Sequence, residues 1–234
     1  PTVKGNVRQI RQAVEMMKSA KRPILYVGGG IIASGSEEEL LAVAEDLQIP
    51  VVTTLMAKSA FPSSHPLNLG HVGMHGSMFA NYAVTNCDLL VAVGARFSDR
   101  VTGKLASFAP DAKVIHVDVD PAEIGKNRIP EVPIVGDAKV VLSGIKEQLA
   151  KNPCEPITKE WLDQIKEWRS SHPFYSPGVS TPTGAISPEG ALDLLSDLLD
   201  PEKSIVTTEV GQHQMWAAQH IGRDVPRTFL TSGG

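Results

Sequence analysis

The chain has 234 residues, 42% of them hydrophobic, and 22 basic against 26 acidic side chains, for a formal charge of −4. That apolar fraction fills a packed core and excludes disorder as the main state, and the mild negative charge offers no basic field to nucleic acid or anionic lipid. No run of 18 apolar residues and no charged-then-apolar N-terminal stretch occurs, so neither a membrane span nor a secretory leader is expected.

Val7, Ile10, Val14 and Met17 share one face at helical spacing. After Pro23 the continuous apolar run Ile24 to Val27 suits a strand buried on both faces of a parallel sheet, and it ends in Gly28-Gly29-Gly30. Ser36 with Glu39 reads as a capping box opening a helix through Leu40, Val43, Ala44 and Leu47, stopped before Pro50. Val51 to Thr54 is rich in β-branched residues and strand-like, Ser77 to Asn86 a helix, Leu89 to Val93 a strand closing on Gly94. Val114 to Val119 gives another strand and Ala138 to Leu149 an amphipathic helix. Strands and helices in alternation predict an α/β fold with a doubly wound parallel sheet over residues 1–150.

From 151 to 185 the character changes. Prolines 153, 156, 173, 177 and 182 interrupt a segment with one short helix carrying Trp161, Ile165 and Trp168, expected to be a linker packed on a surface. Ser187-Pro188 then has the composition of a helix start, N-cap serine and first-turn proline. A strand at Ser204–Thr208, a turn at Gly211 and a helix from Gln212 to His220 follow, so residues 186–234 are expected to be the truncated start of a second α/β domain. Both ends look cut: there is no initial Met, and Phe229-Leu230 runs straight into Ser232-Gly233-Gly234. Cys87 and Cys154 lack CxxC spacing and are expected to be free thiols of an intracellular protein.

Ligands of an open parallel sheet bind beyond the carboxyl ends of its strands. Those ends carry Gly28-Gly29-Gly30, where missing side chains admit a ligand close to the backbone, then Thr54-Leu55-Met56, Gly94-Ala95-Arg96, and Asp118, placed to accept from a ribose diol. Together they describe a dinucleotide site. The plainer accounts are a turn role for Asp118 and a surface ion pair for Arg96 and Arg100 about Asp99. Gly70 to Ser77 holds His71 and His75 four apart, but its glycines oppose a helix and no third ligand lies at metal spacing, so no metal site is expected in this segment. The stretch reads instead as backbone shaped around a flat ligand before the helix N-terminus at Ser77. A second candidate, Glu209 to Trp216 (EVGQHQMW), joins a strand to a helix in the geometry that cradles a diphosphate, with Gln212 and His213 as side-chain donors; alternatively Met215 and Trp216 are core and the amides only cap the helix.

The segments Gly73-Met74-His75-Gly76, Arg96-Phe97-Ser98-Asp99-Arg100-Val101-Thr102-Gly103 and Gly211 to Gln219 (GQHQMWAAQ) are more specific. With them the chain resembles the acetohydroxyacid synthase (acetolactate synthase) large-subunit family of thiamine-diphosphate enzymes, over nearly its whole length. The resemblance implies a central domain that binds FAD in a mainly structural role, a linker, and the start of a domain that binds thiamine diphosphate. It places FAD contacts on Gly28, Gly29, Gly30, Thr54, Leu55, Met56, Val72, Gly73, Met74, His75 and Gly76. Further contacts fall on Gly94, Ala95, Arg96, Arg100, Val101, Asp118, Val119, Ile124, Asp137 and Ala138. It puts thiamine diphosphate against Val210, Gly211, Gln212 and His213. Arg100 would recognise the carboxylate of the second 2-ketoacid, a group that a guanidinium matches with two parallel bonds. Ser98 stands where the family usually has Asp, and Glu209 where Gly or Asp is expected.

The same resemblance implies decarboxylation of pyruvate and transfer of the two-carbon unit to pyruvate or 2-ketobutyrate in branched-chain amino-acid synthesis. The activating glutamate and the Mg²⁺ ligands would lie outside this segment, which alone should be inactive. A homo-oligomer with a possible regulatory small subunit, in the cytoplasm (or a plastid in a plant), goes with it. Alternatives are another flavin-containing thiamine-diphosphate enzyme, such as pyruvate oxidase or glyoxylate carboligase, and a non-catalytic nucleotide-binding module.

Overall fold

The computed structural model describes residues 3–174, 178–179 and 183–233. Pro177 and Pro182 of the connecting segment lie outside the described residues, as do Pro1 and Gly234. The first unit contains α1 (Val7–Ser19), β1 (Pro23–Val27), α2 (Gly29–Ser34), α3 (Glu37–Leu47), β2 (Val51–Thr53), β3 (Asn68–His71), α4 (Met78–Asn86), β4 (Leu89–Val93), α5 (Asp99–Thr102), β5 (Lys113–Asp118), β6 (Val132–Val135) and α6 (Ala138–Lys151). Its six strands are all parallel, in the order β3-β2-β1-β4-β5-β6. The order reverses between β1 and β4, which makes their carboxyl ends the switch-point crevice of a doubly wound sheet.

Alternating side chains feed two cores. Leu25 and Val27 of β1, Val91 and Val93 of β4, and Ile115 and Val117 of β5 pack under α1, α3 and α6. Ile24, Tyr26, Leu90, Ala92 and Val114 face the opposite side, under α4 and α7 (Lys159–Ser171). Each aliphatic side chain fully buried this way contributes about 1.5–3 kcal/mol. The connecting segment is therefore no passive tether: α7 sinks Trp161 and Ile165 into the second core, and the Trp161 indole N–H donates to the Pro23 carbonyl at 3.2 Å.

Four local features depart from expectation. Ser36 is the N-cap residue of α3 but makes no side-chain cap: its amide and hydroxyl both donate to Ile31 O of α2, so Glu39 finds no free N-cap amide and turns to Lys139, 3.8 Å away. The glycine run is a helix start, with Gly28 as N-cap of α2. β3 forms from Asn-Leu-Gly-His at one sheet edge, with Gly70 at φ +79° and a register shift against β2. β6 forms around Pro133 at the other edge, where the missing N–H is tolerated.

Beyond α7, α8 (Pro188–Leu198) begins as expected, with Ser187 Oγ accepting from Gly190 N. β7 (Val206–Thr208) and β8 (Phe229–Thr231) pair in parallel across α9 (Gln212–His220). Arg223, fully buried, holds this unit together by donating to Thr228 Oγ1 and to the carbonyls of Pro201 and Ser204. Among the described residues no helix is long and apolar enough to cross a membrane, and Cys87 and Cys154 are both free thiols.

Candidate functional site

Because the sheet is parallel, the loops after β1 to β6 gather on one rim. In every loop but that after β5, one amide fastens it to a neighbouring strand end: Thr54 N to Val27 O (2.8 Å), Val72 N to Thr53 O (3.1 Å), Gly28 N to Val93 O (3.1 Å), Gly94 N to Val117 O (2.8 Å) and Gly136 N to Asp118 O (2.9 Å). The switch point is closed most tightly. Gly30 N donates to Gly94 O at 3.0 Å, and a Cβ on Gly30 would lie 2.5 Å from Gly94 Cα. A Cβ on Gly28 would fall on the Gly94 carbonyl oxygen and lie 2.6 Å from Ala95 Cα. Backbone packing at the switch point therefore requires glycine at both positions. Gly29 alone is open, its nearest neighbour Met56 Cβ lying 3.5 Å from where a Cβ would stand.

Two buried polar side chains fix the loop after β4. Tyr26 Oη donates to Arg96 O at 2.9 Å, and burial pushes its phenol pKa up. His116 Nε2 lies 3.2 Å from Ala95 O, an acceptor only, so this nitrogen carries the proton. Its Nδ1 is buried without a partner, and burial lowers the ring's pKa. The sequence gives no local sign of either contact, since each spans over twenty residues.

The loop 72–76 wraps against α5. A Cβ on Gly73, at φ +114°, would come within 3.0 Å of both Arg100 O and Val101 Cα. Asn81 of α4 clamps Gly73 from the other side, its Oδ1 accepting from Gly73 N (3.1 Å) and its Nδ2 donating to Gly73 O (3.0 Å). Asn81→Ala is expected to lower stability by about 1–3 kcal/mol and to speed hydrogen exchange at the Gly73 amide. Unchanged exchange there would show the clamp idle.

The rim surface mixes apolar and cationic groups. Met56, Met74 and Val119 are exposed, Met74 by 70%. Arg96 and Arg100 are exposed, and among the described residues neither guanidinium meets a carboxylate within 4.0 Å; Asp99 instead accepts from the Arg100 amide and the Ser98 hydroxyl. The surface ion pair is thus not made. At the far end the plainer account holds in part: Asp118 Oδ1 takes Asp120 N, and Asp137 caps α6 by accepting from Lys139 N and Val140 N. Half-buried Ile124 and buried Ala138 complete that side.

Val210, Gly211, Gln212 and His213 sit at the start of α9, with Gly211 at φ +154° and the His213 ring 2.9 Å from where its Cβ would stand. Among the described residues none of the four hydrogen-bonds to the rim. The connection runs through other residues: Gln219 Nε2 donates to His75 O (2.9 Å), Gln214 Nε2 to Thr231 Oγ1 and Ser232 O, and Gly233 packs beside Met56 Sδ. Gln214 falls inside the second candidate stretch without a role of its own, and Gln219 and Gly233 carry no local signal, although Gln219 belongs to the GQHQMWAAQ run. No group of three or more His, Cys, Asp or Glu among the described residues could hold a metal ion.

His71, buried at the end of β3, has its pKa pushed down to about 4 by burial, with the Lys58 charge adding to the effect. It is neutral when folded and protonates more readily once unfolded, so its contribution is complete above about pH 6.5 and is lost as pH falls towards 4. Up to roughly 3 kcal/mol is at stake. Thermal unfolding followed between those limits should show a steeper fall for the native chain than for His71→Gln; parallel curves would contradict it.

Residues 10–145, more than half the chain, match the family model described as thiamine pyrophosphate enzyme, central domain. The chain belongs to this family. As such a central domain it is similar to the acetolactate synthase of Mycobacterium leprae (49% identity over 237 residues, 100% of this chain and 37% of the relative). It is likewise similar to the acetolactate synthase large subunits of Parasynechococcus marenigrum (48%, covering 96% and 36%) and Corynebacterium glutamicum (48%, covering 100% and 37%). The chain thus spans 36–37% of the length of these relatives.

Proposed function

We propose that this chain is the flavin-binding part of an acetolactate synthase large subunit, with residues 1–150 as the central domain, 151–185 as the connection and 186–234 as the opening of the thiamine-diphosphate domain. The observation that carries the reading is the extent of the identity: 48–49% to acetolactate synthases along essentially the whole chain, α9 included. The rim fits an adenine-linked flavin. Uncrowded backbone at Gly29, exposed Met56, Met74 and Val119, and a backbone shaped by Gly73 and Gly76 offer apolar surface to a flat ring, while Arg96 offers charge to phosphates. The start of α9 fits a diphosphate, with Gly211 and exposed Gln212 and His213 at a helix N-terminus.

When bound, thiamine diphosphate supplies the carbon centre at which a 2-ketoacid is decarboxylated and joined to a second one. The part of this chain is to hold the cofactors and to present Arg100, whose guanidinium, with no carboxylate beside it among the described residues, is suited to the second substrate's carboxylate. Mg²⁺ would take its ligands elsewhere in the parent enzyme, which we place in the cytoplasm as a homo-oligomer with a regulatory small subunit. The test is product analysis of the full-length parent given pyruvate, with and without 2-ketobutyrate. Acetolactate and acetohydroxybutyrate are expected; acetyl phosphate or tartronate semialdehyde as the main product would replace this reading with a pyruvate oxidase or a glyoxylate carboligase.

A further inference from the structure

A cavity of about 210 Å³ opens where the turn after β2, the end of β3, α7 and the second half of α9 meet. Lys58, His71 and Arg169 reach it, with Asn68, Phe79 and Gln219 completing its polar and aromatic wall, and no Asp or Glu is among its described lining residues. Lys58 Nζ stands 5.6 Å from the centre of the Phe229 ring, and among the described residues no carboxylate comes within 4.0 Å of it. Arg169 lies over the Phe79 ring at 4.9 Å and gives one arm to the Asn68 carbonyl, but its Nε is buried with no partner. Gln219 has already committed its amide to His75. Two cations thus share a partly desolvated space with no anion among the described residues, an arrangement that costs free energy until a negative charge enters.

We propose that this cavity binds a small oxyanion, held between the Lys58 ammonium and the Arg169 guanidinium. The volume admits a tetrahedral oxyanion or a short carboxylate with a few waters and falls below the roughly 300 Å³ at which sites for larger ligands begin. This inference is independent of the flavin reading, since none of the proposed cofactor contacts lines the cavity. Burial pushes the Lys58 pKa down to about 8, while His71 beside it stays neutral and Arg169 stays charged, so Lys58 is the group that switches the site near neutrality.

The test is calorimetric titration of the purified chain with sulfate, inorganic phosphate and acetate in turn, ionic strength being held with choline chloride. At least one anion is expected to bind, tetrahedral ions or acetate winning according to whether the occupant is a phosphate or a carboxylate. Lys58→Met should weaken that binding by about tenfold or more and Lys58→Arg should retain most of it, both variants being checked for native circular dichroism. Sulfate and acetate keep their charge as pH rises from about 7 to about 9, so their affinity should fall as Lys58 deprotonates. No binding to the folded native chain, or equal binding by a folded Lys58→Met, would overturn the proposal. Should Lys58→Met not fold, an affinity indifferent to pH over that range would do the same.

Discussion

Gly28→Ala and Gly94→Ala are each expected to destabilise the chain by about 3 kcal/mol or more, lowering the melting temperature by roughly 6–12 °C. The cause is geometric. A methyl on Gly28 collides with the Gly94 carbonyl and the Ala95 backbone, and Gly94 is both at φ +56° and 2.6 Å, at its would-be Cβ, from Gly30 Cα. Backbone cannot yield there without pulling β1 from β4 at the middle of the sheet. Gly29→Ala is the contrasting case. Its added methyl meets Met56 at an ordinary 3.5 Å, so stability should change by under about 1 kcal/mol, while flavin affinity suffers because the methyl enters the open part of the rim. Thermal and denaturant unfolding of the three variants decides the matter; equal loss at all three positions would mean that Gly29 is as crowded as its neighbours.

Arg100→Ala in the full-length parent should cut kcat/KM for the second ketoacid by about a hundredfold or more, the scale of losing a charge-assisted pair with a carboxylate. Folding should be almost untouched, because the residue is exposed and its bond to Asp99 is made by the backbone amide, which the substitution keeps. Arg100→Lys should recover little, since an ammonium cannot make two parallel bonds. Flavin content should fall far less than the rate with the second ketoacid. Loss of both in proportion would move Arg100 from substrate recognition to cofactor retention.

The sequence reveals the fold's centre better than its edges. β1 and β4 are buried on both faces, so they stand out as unbroken apolar runs bounded by glycine. β3 and β6 sit at the edges and are paired on one side only, and Asn68, Gly70 and Pro133 erase the strand signal there. Ser36 shows how a correct local motif can be overridden: the end of α2 takes its amide and hydroxyl first. The candidate site was legible as a set of strand-end residues because a parallel sheet makes position along the chain equivalent to position on one rim. What orders that rim was not legible. Tyr26, Asn81 and His116 act on backbone far from them in sequence or across a turn, and nothing in their own neighbourhoods distinguishes them from ordinary core and helix residues. The glycines after β1 illustrate the same limit, since only the approach of Gly94 separates the two that pack from the one that is open.

The central claim is that the carboxyl-end rim clasps an adenine-linked flavin. The direct measurement is the visible absorbance and fluorescence of flavin titrated with the purified chain, using FAD and FMN in parallel. Saturable perturbation of the FAD spectrum at about one flavin per chain, with FMN bound at least tenfold more weakly for want of the adenosine half, is the expected result. FAD left unperturbed by the folded chain, or FMN bound as tightly as FAD, would contradict it.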